Sequence, residues 1–387
     1  GVKGSRYQQG RKLADDPDLR YQTRSLTFLQ RSIMAVQLKG EHNIPGLNDA
    51  TIDWVSSYTI SKQEEPDLRF FTNGFRVSNG DTTYKIEPSI GQLPTRYYRD
   101  MRESNLDNKI NFTIPFNQWN DLKAKFKTGV SFVWKDRDFR EDQYRYNNQS
   151  QSFSGDPEQY VSTVWDGEVL TDSSNNGVYM QNAFDPRNSY DANEKTLGTY
   201  AMVDLPISGN FRIITGARIE WSQISTVSFA ENLPPGELNN VDVLPSINLN
   251  YSVKENMNIR GSYSRTLARP TFRELAPFAS FDFIGDFILV GTDSLERTLI
   301  DNVDLRWEVF PGSGEIVSVS AFFKNFNKPI ERAFNPLAAN PELNYRNVPN
   351  AWLIGAEFEF RKNFGFIAES LEDLLIGANF TYVYSRV

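Results

Sequence analysis

Apolar and polar residues alternate with period two along most of the chain, which is the pattern of β-strands with one apolar and one polar face. Two neighbouring stretches show the alternation clearly: Val303, Leu305, Trp307 and Val309 are interleaved with Asn302, Asp304, Arg306 and Glu308, and Val317, Val319, Ala321 and Phe323 with Ser318, Ser320 and Lys324. The sequence therefore predicts an all-β fold of antiparallel strands.

About twelve strands follow from this alternation. Their predicted ranges are 24–40, 50–61, 96–116, 122–147, 193–205, 211–230, 243–253, 256–267, 298–310, 315–331, 350–361 and 374–387. The connections alternate between short turns, such as 117–121 and 254–255, and long loops, such as 62–95, 148–192 and 268–297. Short turns on one rim and long loops on the other are typical of a transmembrane antiparallel up-and-down β-barrel. On this scheme residues 1–23 are the end of a long loop, and both ends of the chain lie on the long-loop side.

Composition supports a membrane barrel over a helical membrane protein. The chain has 387 residues, 39% of them hydrophobic, and its mean hydropathy is −0.50. It has no unbroken apolar run of the roughly 18 to 20 residues that a spanning helix needs. Barrel strands need apolar residues only at alternate positions, and an aromatic share of 13% suits a surface that meets lipid headgroups. The net charge of −8 argues against nucleic acid as a partner.

The stretch 244–278, LPSINLNYSVKENMNIRGSYSRTLARPTFRELAPF, resembles the barrel segment of TonB-dependent receptors, particularly the Bacteroidetes type. The likeness is carried by Tyr263, Ser264, Arg265, Ala268, Arg269, Pro270, Phe272, Arg273, Glu274 and Leu275. Similar motifs flank it in collinear order: DWVSSYT at 53–59, EPDLR at 65–69, GARIEW at 216–221, the stretch 300–332, and NVPNAWLIGAEFEFRKNF at 347–364.

The resemblance implies an integral outer-membrane barrel of about 22 strands with an N-terminal plug inside it. It implies import of a scarce nutrient into the periplasm, of the siderophore, glycan, cobalamin or peptide class. The implied partners are outer-membrane lipid, the plug, the TonB–ExbB–ExbD complex and a surface lipoprotein. Residues 1–387 are then expected to be a partial barrel domain, without the plug domain and the C-terminal closing strands.

Candidate ligand contacts lie in the long loops on the outer rim. Tyr160, Trp165, Tyr179 and Tyr190 make the loop 148–192 rich in aromatic residues, which stack well on sugar rings and other ligands. Packing of the loop on itself explains the same residues equally well. Arg269 is a further candidate contact. Alternatively, the Arg269–Pro270 step turns the chain at the rim and folds the following apolar run back against the wall.

Catalytic chemistry finds no support in the sequence. His42 is the only histidine and lies in a predicted short turn near Pro45 and Gly46, which disfavours a Ser-His-Asp triad and a multi-histidine metal centre. With no cysteine there is also no thiol nucleophile or Cys-based metal site. We therefore predict no catalytic residue, no metal site, no cofactor and no enzyme activity. A soluble all-β glycan-binding or hydrolytic protein and a barrel enzyme remain the alternatives.

Overall fold

A single large antiparallel sheet makes up most of the computed structural model, which describes residues 2–13, 16–85, 95–148, 178–282, 287–338 and 342–387. The strands are β1 (Val2–Leu13), β2 (Asp16–Ile44), β3 (Ala50–Ser78), β4 (Asp81–Lys85), β5 (Thr95–Asn117), β6 (Lys123–Asn148), β7 (Val178–Asn182), β8 (Tyr190–Pro206), β9 (Phe211–Ser228), β10 (Gly236–Lys254), β11 (Met257–Ala268), β12 (Ala279–Asp282), β13 (Phe287–Val290), β14 (Thr298–Val309), β15 (Ile316–Asn327), β16 (Ile330–Phe334), β17 (Glu342–Asn347), β18 (Asn350–Asn363) and β19 (Leu375–Arg386). Thirteen of them pair in the order β1-β2-β3-β5-β6-β8-β9-β10-β11-β14-β15-β18-β19, and β4 and β7 extend β3 and β6. We call this sheet the wall.

Each main strand of the wall pairs with the next main strand along the chain, which confirms the predicted up-and-down topology. The strand register places apolar residues opposite apolar residues and polar residues opposite polar residues. Val319 lies opposite Trp307 on one face, and Ser318 lies opposite Glu308 on the other. One apolar face therefore continues from strand to strand, and one polar face lies behind it.

The apolar face is exposed to the surroundings. Leu305 is 57% exposed and Val319 47%, whereas Glu308 on the other face is 3% exposed. On β9 the apolar band runs from Phe211 to Trp221, which corresponds to about 25 Å at the usual rise and tilt of barrel strands. These proportions match a sheet whose outer face meets lipid and whose inner face lines a lumen.

Short connections collect on one rim of the wall. The links 45–49, 118–122, 207–210, 255–256 and 310–315 are short, and most of the opposite connections are longer, notably 149–189, 269–297 and 328–349. The predicted separation of turns and loops is thus confirmed for these connections. We take the short-turn rim as the periplasmic end.

Three sequence predictions near the start of the chain are wrong. Residues 2–13 form β1 and pair with β2, so the segment up to Thr23 is strand and not the end of a loop. β3 continues to Ser78, so much of the predicted loop 62–95 is strand. His42 lies in β2 and not in a turn, and its Nε2 accepts a hydrogen bond from the Trp54 indole at 3.2 Å.

Helices are few. The one α-helix among the described residues is α1 (Phe272–Leu275), and the turns Pro186–Asn188 and Glu369–Leu371 are 3₁₀. In the part of the chain that the structure describes, no helix has the length and apolar character needed to cross a membrane.

A second, four-stranded sheet joins two long loops at the outer rim. Its order is β12-β13-β17-β16, and β13 and β17 pair in parallel. β12 and β13 belong to the connection between β11 and β14, and β16 and β17 to the connection between β15 and β18. The two loops are therefore tied together by backbone hydrogen bonds.

Candidate functional site in the lumen

The long connection 269–297, which we call the inward loop, folds back onto the lumenal face of the wall in its described residues, 269–282 and 287–297. Phe272, Leu275 and Phe278 of this loop are 6%, 0% and 4% exposed. They belong to one apolar cluster with wall residues whose side chains all point into the lumen: Phe139, Tyr190, Ala192, Ile224 and Leu238. The predicted turn at Arg269–Pro270, followed by an apolar run packed on the wall, is confirmed.

A capping box starts α1 directly after Pro270. The Thr271 backbone N–H donates to Glu274 Oε2 at 2.7 Å, and the Glu274 N–H donates to Thr271 Oγ1 at 3.4 Å. These two bonds satisfy amides at the start of the helix that have no partner within it. The single turn of helix then directs Phe272 and Leu275 toward the wall.

The two limbs of the inward loop, residues 269–282 and 287–297, contact each other at Gly291. A Cβ atom at Gly291 would lie 1.7 Å from the carbonyl oxygen of Ala276. The adjacent Thr292 N–H donates to the Glu274 carbonyl at 2.7 Å. No side chain fits at this approach, so the loop requires glycine here.

Ion pairs clamp both ends of the inward loop to neighbouring strands. Arg269 Nη2 lies 2.5 Å from Glu220 Oε2 on β9, and Arg297 Nε lies 2.5 Å from Asp242 Oδ1 on β10. Glu220 and Asp242 are directly opposite each other in the β9–β10 register. Asp242 is almost completely buried, so its charge needs this partner.

A buried charge network connects the loop with the outer parts of β5 and β6. Arg99 Nε contacts Glu141 Oε2 at 2.6 Å and Arg99 Nη1 contacts Glu65 Oε2 at 3.3 Å. The Glu141 side chain is 1% exposed, and its second oxygen accepts from Asn188 Nδ2 at 2.7 Å. Asn188 Oδ1 in turn accepts from the Ala279 N–H at 3.3 Å. The network therefore reaches from the wall into the inward loop.

Arg273 is held inside the loop by neutral groups. It donates to the Phe278 carbonyl at 2.9 Å, to Ser280 Oγ at 2.7 Å and to the Leu289 carbonyl at 3.1 Å, and its guanidinium lies 4.1 Å from the centre of the Phe278 ring. Burial lowers the pKa of Arg273 to about 10, so the side chain stays cationic at neutral pH. The hydrogen bonds and the aromatic ring offset the loss of hydration.

The predicted ligand contacts separate into three groups. Tyr160 and Trp165 lie outside the described residues. Tyr179 is in β7, opposite Asn147 of β6. Tyr190 is 2% exposed and stacks on Phe139 with 5.3 Å between ring centres, and Arg269 holds Glu220. Tyr190 and Arg269 lie at different levels of the wall, because Tyr190 is opposite Ser228 of β9 whereas Arg269 pairs with Glu220, farther toward the periplasmic rim on the same strand. Contact with a ligand remains a prediction for all five.

The periplasmic half of the lumen is more open. A cavity of about 460 Å³ lies on β9, β10, β11 and β14. Its lining residues are Arg212, Ile214, Asn248, Leu249, Asn250, Arg260, Gly261, Ser262, Asp304 and Arg306. Its arginines are neutralised by wall carboxylates: Arg260 and Arg306 both contact Glu308, at 2.8 and 3.0 Å, and Arg212 pairs with Asp204.

Sequence reasoning missed Glu220, Asp242 and Glu141 as organising residues. The arginines that link them to the network and to the inward loop, Arg269, Arg297 and Arg99, lie at least 42 residues away along the chain, and strand alternation places the three acids on the lumenal face without indicating these partners. The Thr271–Glu274 spacing is a recognisable capping signal and was the one local indication of a helix in this loop.

Comparison with known proteins identifies the type of barrel. A family model described as TonB dependent receptor-like, beta-barrel matches residues 3–387. No curated protein matches the sequence. The chain is structurally similar to the unliganded ferric citrate transporter FecA, with 12% identity, a TM-score of 0.52 and coverage of 95% of this chain and 51% of that one.

Two further solved structures are similar. The copper transporter OprC shares 10% identity at a TM-score of 0.53, and the match covers 95% of this chain and 58% of that one. The alcaligin outer-membrane receptor FauA from Bordetella pertussis shares 13% identity at a TM-score of 0.47, with 100% and 60% covered. The chain thus spans between about half and three fifths of these proteins.

Proposed function

Because the chain belongs to the TonB dependent receptor-like β-barrel family of the outer membrane, we propose that the protein is a receptor that actively imports a scarce nutrient into the periplasm. The observation that carries the proposal is the inward loop, which fills part of the outer lumen of a lipid-facing barrel wall. A narrowed mouth suits a transporter that selects and gates its substrate better than an open diffusion pore.

The proposed partners are those that such transport requires. A plug domain in the lumen would gate the passage, and the TonB–ExbB–ExbD complex would supply energy from the inner membrane. A surface lipoprotein is a further proposed partner at the outer rim. FecA and OprC, by their names, carry ferric citrate and copper, and for this protein the siderophore, glycan, cobalamin and peptide classes all stay open.

For the ligand, we propose contacts from the aromatic side chains of the loop between β6 and β8, with Tyr160, Trp165 and Tyr179 stacking on it. Tyr190 and Arg269 would contribute differently. Tyr190 is buried and Arg269 is paired with Glu220. These two residues would therefore hold the wall and the inward loop in position, and so determine the shape of the space in which the ligand binds.

The test is uptake by cells that carry the full-length receptor. We expect labelled substrate of one of the four classes to accumulate only when the receptor is present and only while the inner membrane is energised. Trp165→Ala should weaken that uptake. Trp119→Ala is the matched control, because Trp119 is 70% exposed in a turn on the opposite rim and should leave uptake unchanged. Accumulation that persists after the membrane is de-energised would contradict active import.

A further inference from the structure

The connection between β18 and β19, residues 364–374, lies on the short-turn rim and is longer than the other connections that the structure describes there. It is folded onto itself. The Phe364 N–H donates to the Leu374 carbonyl at 3.1 Å, and the Ile367 N–H donates to the Phe364 carbonyl at 3.0 Å. Glu369–Leu371 form a 3₁₀ turn within it. These bonds give the β18–β19 turn a defined shape, so its exposed side chains have fixed positions.

The two halves of the β18–β19 turn differ in polarity. Its first half exposes large apolar side chains, since Phe366 is 68% and Ile367 62% exposed. Its second half exposes the carboxylates of Glu372 and Asp373 instead. By contrast, the turn 255–256 on the same rim consists of a glutamate and an asparagine. Because large apolar side chains are stabilised by removal from water, the first half of the β18–β19 turn favours an apolar environment.

The side of the wall on which Phe366 lies follows from its contact with Lys362. Lys362 is on the same side of β18 as Phe358 and Phe360, and the intervening Glu359 is on the lumenal side. The ammonium nitrogen of Lys362 lies 5.3 Å from the centre of the Phe366 ring. Phe366 is therefore on the lipid-facing side of the wall, directly beyond the apolar residues of β18.

An ion pair lies between the apolar band of the wall and the β18–β19 turn. Lys362 Nζ is 2.6 Å from Glu315 Oε2, and Glu315 Oε1 accepts from the Asn363 N–H at 3.0 Å. Long charged side chains at the end of an apolar band are typical of the membrane–water interface, because the stem stays in apolar surroundings while the charge reaches water. β18 has a paired strand on both sides, so Phe366 lies beside an interior part of the sheet and not at its edge.

We propose that the β18–β19 turn inserts Phe366 and Ile367 into the phospholipid leaflet on the periplasmic side of the outer membrane. The two side chains lie at the boundary between headgroups and acyl chains. There they continue the lipid-facing band beyond its last strand residue, Phe360, while Glu372 and Asp373 stay in water. The turn thereby anchors the periplasmic rim of the wall at a fixed depth in the bilayer. This proposal does not depend on which substrate the receptor transports.

Spin labelling of the full-length receptor in phosphatidylcholine vesicles tests the proposal. A single nitroxide is attached at Ile367→Cys, since residues 1–387 contain no cysteine and any cysteine elsewhere is replaced. Electron paramagnetic resonance measures its collisions with oxygen, which dissolves in lipid, and with a water-soluble nickel chelate. Leu305→Cys, at a 57%-exposed lipid-facing position, is the lipid reference, and Glu255→Cys is the water reference. The oxygen-to-nickel collision ratio at Ile367→Cys should exceed that at Glu255→Cys on the order of tenfold, because the headgroup–acyl boundary excludes the chelate.

Adding Phe366→Asp should lower the ratio at Ile367→Cys to that at Glu255→Cys, because a carboxylate does not enter the acyl region. In the same Phe366→Asp variant the Leu305→Cys label should stay in lipid, which shows that the barrel remains inserted. Glu372→Gln is the matched control in the same turn and should leave the Ile367→Cys label unchanged. The proposal is overturned if the Ile367→Cys label meets the chelate as readily as the Glu255→Cys label. Spin–spin broadening between labels of two receptors would also overturn it, since a second copy would then cover the turn.

Discussion

At the outer end of the lumen the inward loop buries Phe272, Leu275 and Phe278 against the wall, whereas at the periplasmic end the wall leaves a cavity of about 460 Å³ whose lining includes four charged side chains. The outer region is stabilised by apolar packing and buried ion pairs. In the periplasmic region, side chains such as Arg260, which is 54% exposed, remain in contact with water. The same polar face thus carries a closely packed loop at one end and an accessible surface at the other.

This difference predicts at which positions substitutions should change the stability of the structure. Buried charges and close backbone contacts are costly to disturb, and exposed ion pairs are not. The outer region should therefore respond strongly to single changes and the periplasmic region weakly.

The largest effect is expected from Glu141→Ala. It leaves the largely buried Arg99 with the longer ion pair to Glu65 and its contacts with the Tyr97 and Phe278 rings, and removing one member of a buried ion pair costs about 3 to 5 kcal/mol. Hydrogen exchange of the inward-loop amides in the full-length receptor should accelerate by on the order of 100-fold. Glu141→Gln, which can still accept from Asn188, should have a smaller effect. Unchanged exchange in Glu141→Ala would show that the network does not hold the loop.

A smaller effect is expected from Gly291→Ala. The added methyl group would meet the Ala276 carbonyl oxygen, so the limbs of the loop must separate, at a cost of about 1 to 3 kcal/mol. The check is hydrogen exchange at the backbone amides of residue 291 and Thr292. Gly261→Ala in β11 is the control, since a Cβ atom there meets nothing within 4 Å. If both variants exchange alike, the close approach does not limit the loop.

The smallest effect is expected from Arg260→Gln in the periplasmic cavity. The Arg260 side chain is half exposed, and the buried Glu308 keeps Arg306 as a second partner. Such pairs contribute at most about 1 kcal/mol. The urea midpoint of the full-length receptor should stay close to that of the wild type. A loss of stability as large as that caused by Glu141→Ala would contradict the proposed contrast between the two regions.

The faces and most strands of the wall can be predicted from the sequence, because a strand inside the bilayer must be apolar on one side. The alternation of Val303, Leu305 and Trp307 is of this kind. Residues 2–13 and 62–78 are strands without such a signal, and the reason is physical. Beyond the apolar band both faces of a barrel strand are in contact with water, so apolar residues are not required at alternate positions.

The outer site could be predicted only in part. The Arg269–Pro270 step and the apolar residues after it indicate a loop that folds back. The partner of Arg269 is Glu220, which is 49 residues away. Only the pairing of β9, β10 and β11 brings these two residues together. Contacts of this range follow from the strand register and leave no local pattern.

The assignment of the two faces of the wall is the central claim, and paired arginine substitutions on β15 test it most directly. Val319 is 47% exposed on the proposed lipid side, and Ser320 faces the lumen opposite Glu357. The free energy of unfolding in lipid vesicles should fall by about 2 to 4 kcal/mol for Val319→Arg. For Ser320→Arg the loss should be clearly smaller, because the new side chain lies in the lumen, where Glu357 on one side offsets the like charge of Arg306 on the other. Equal costs at the two positions, or a larger cost at Ser320, would contradict the account.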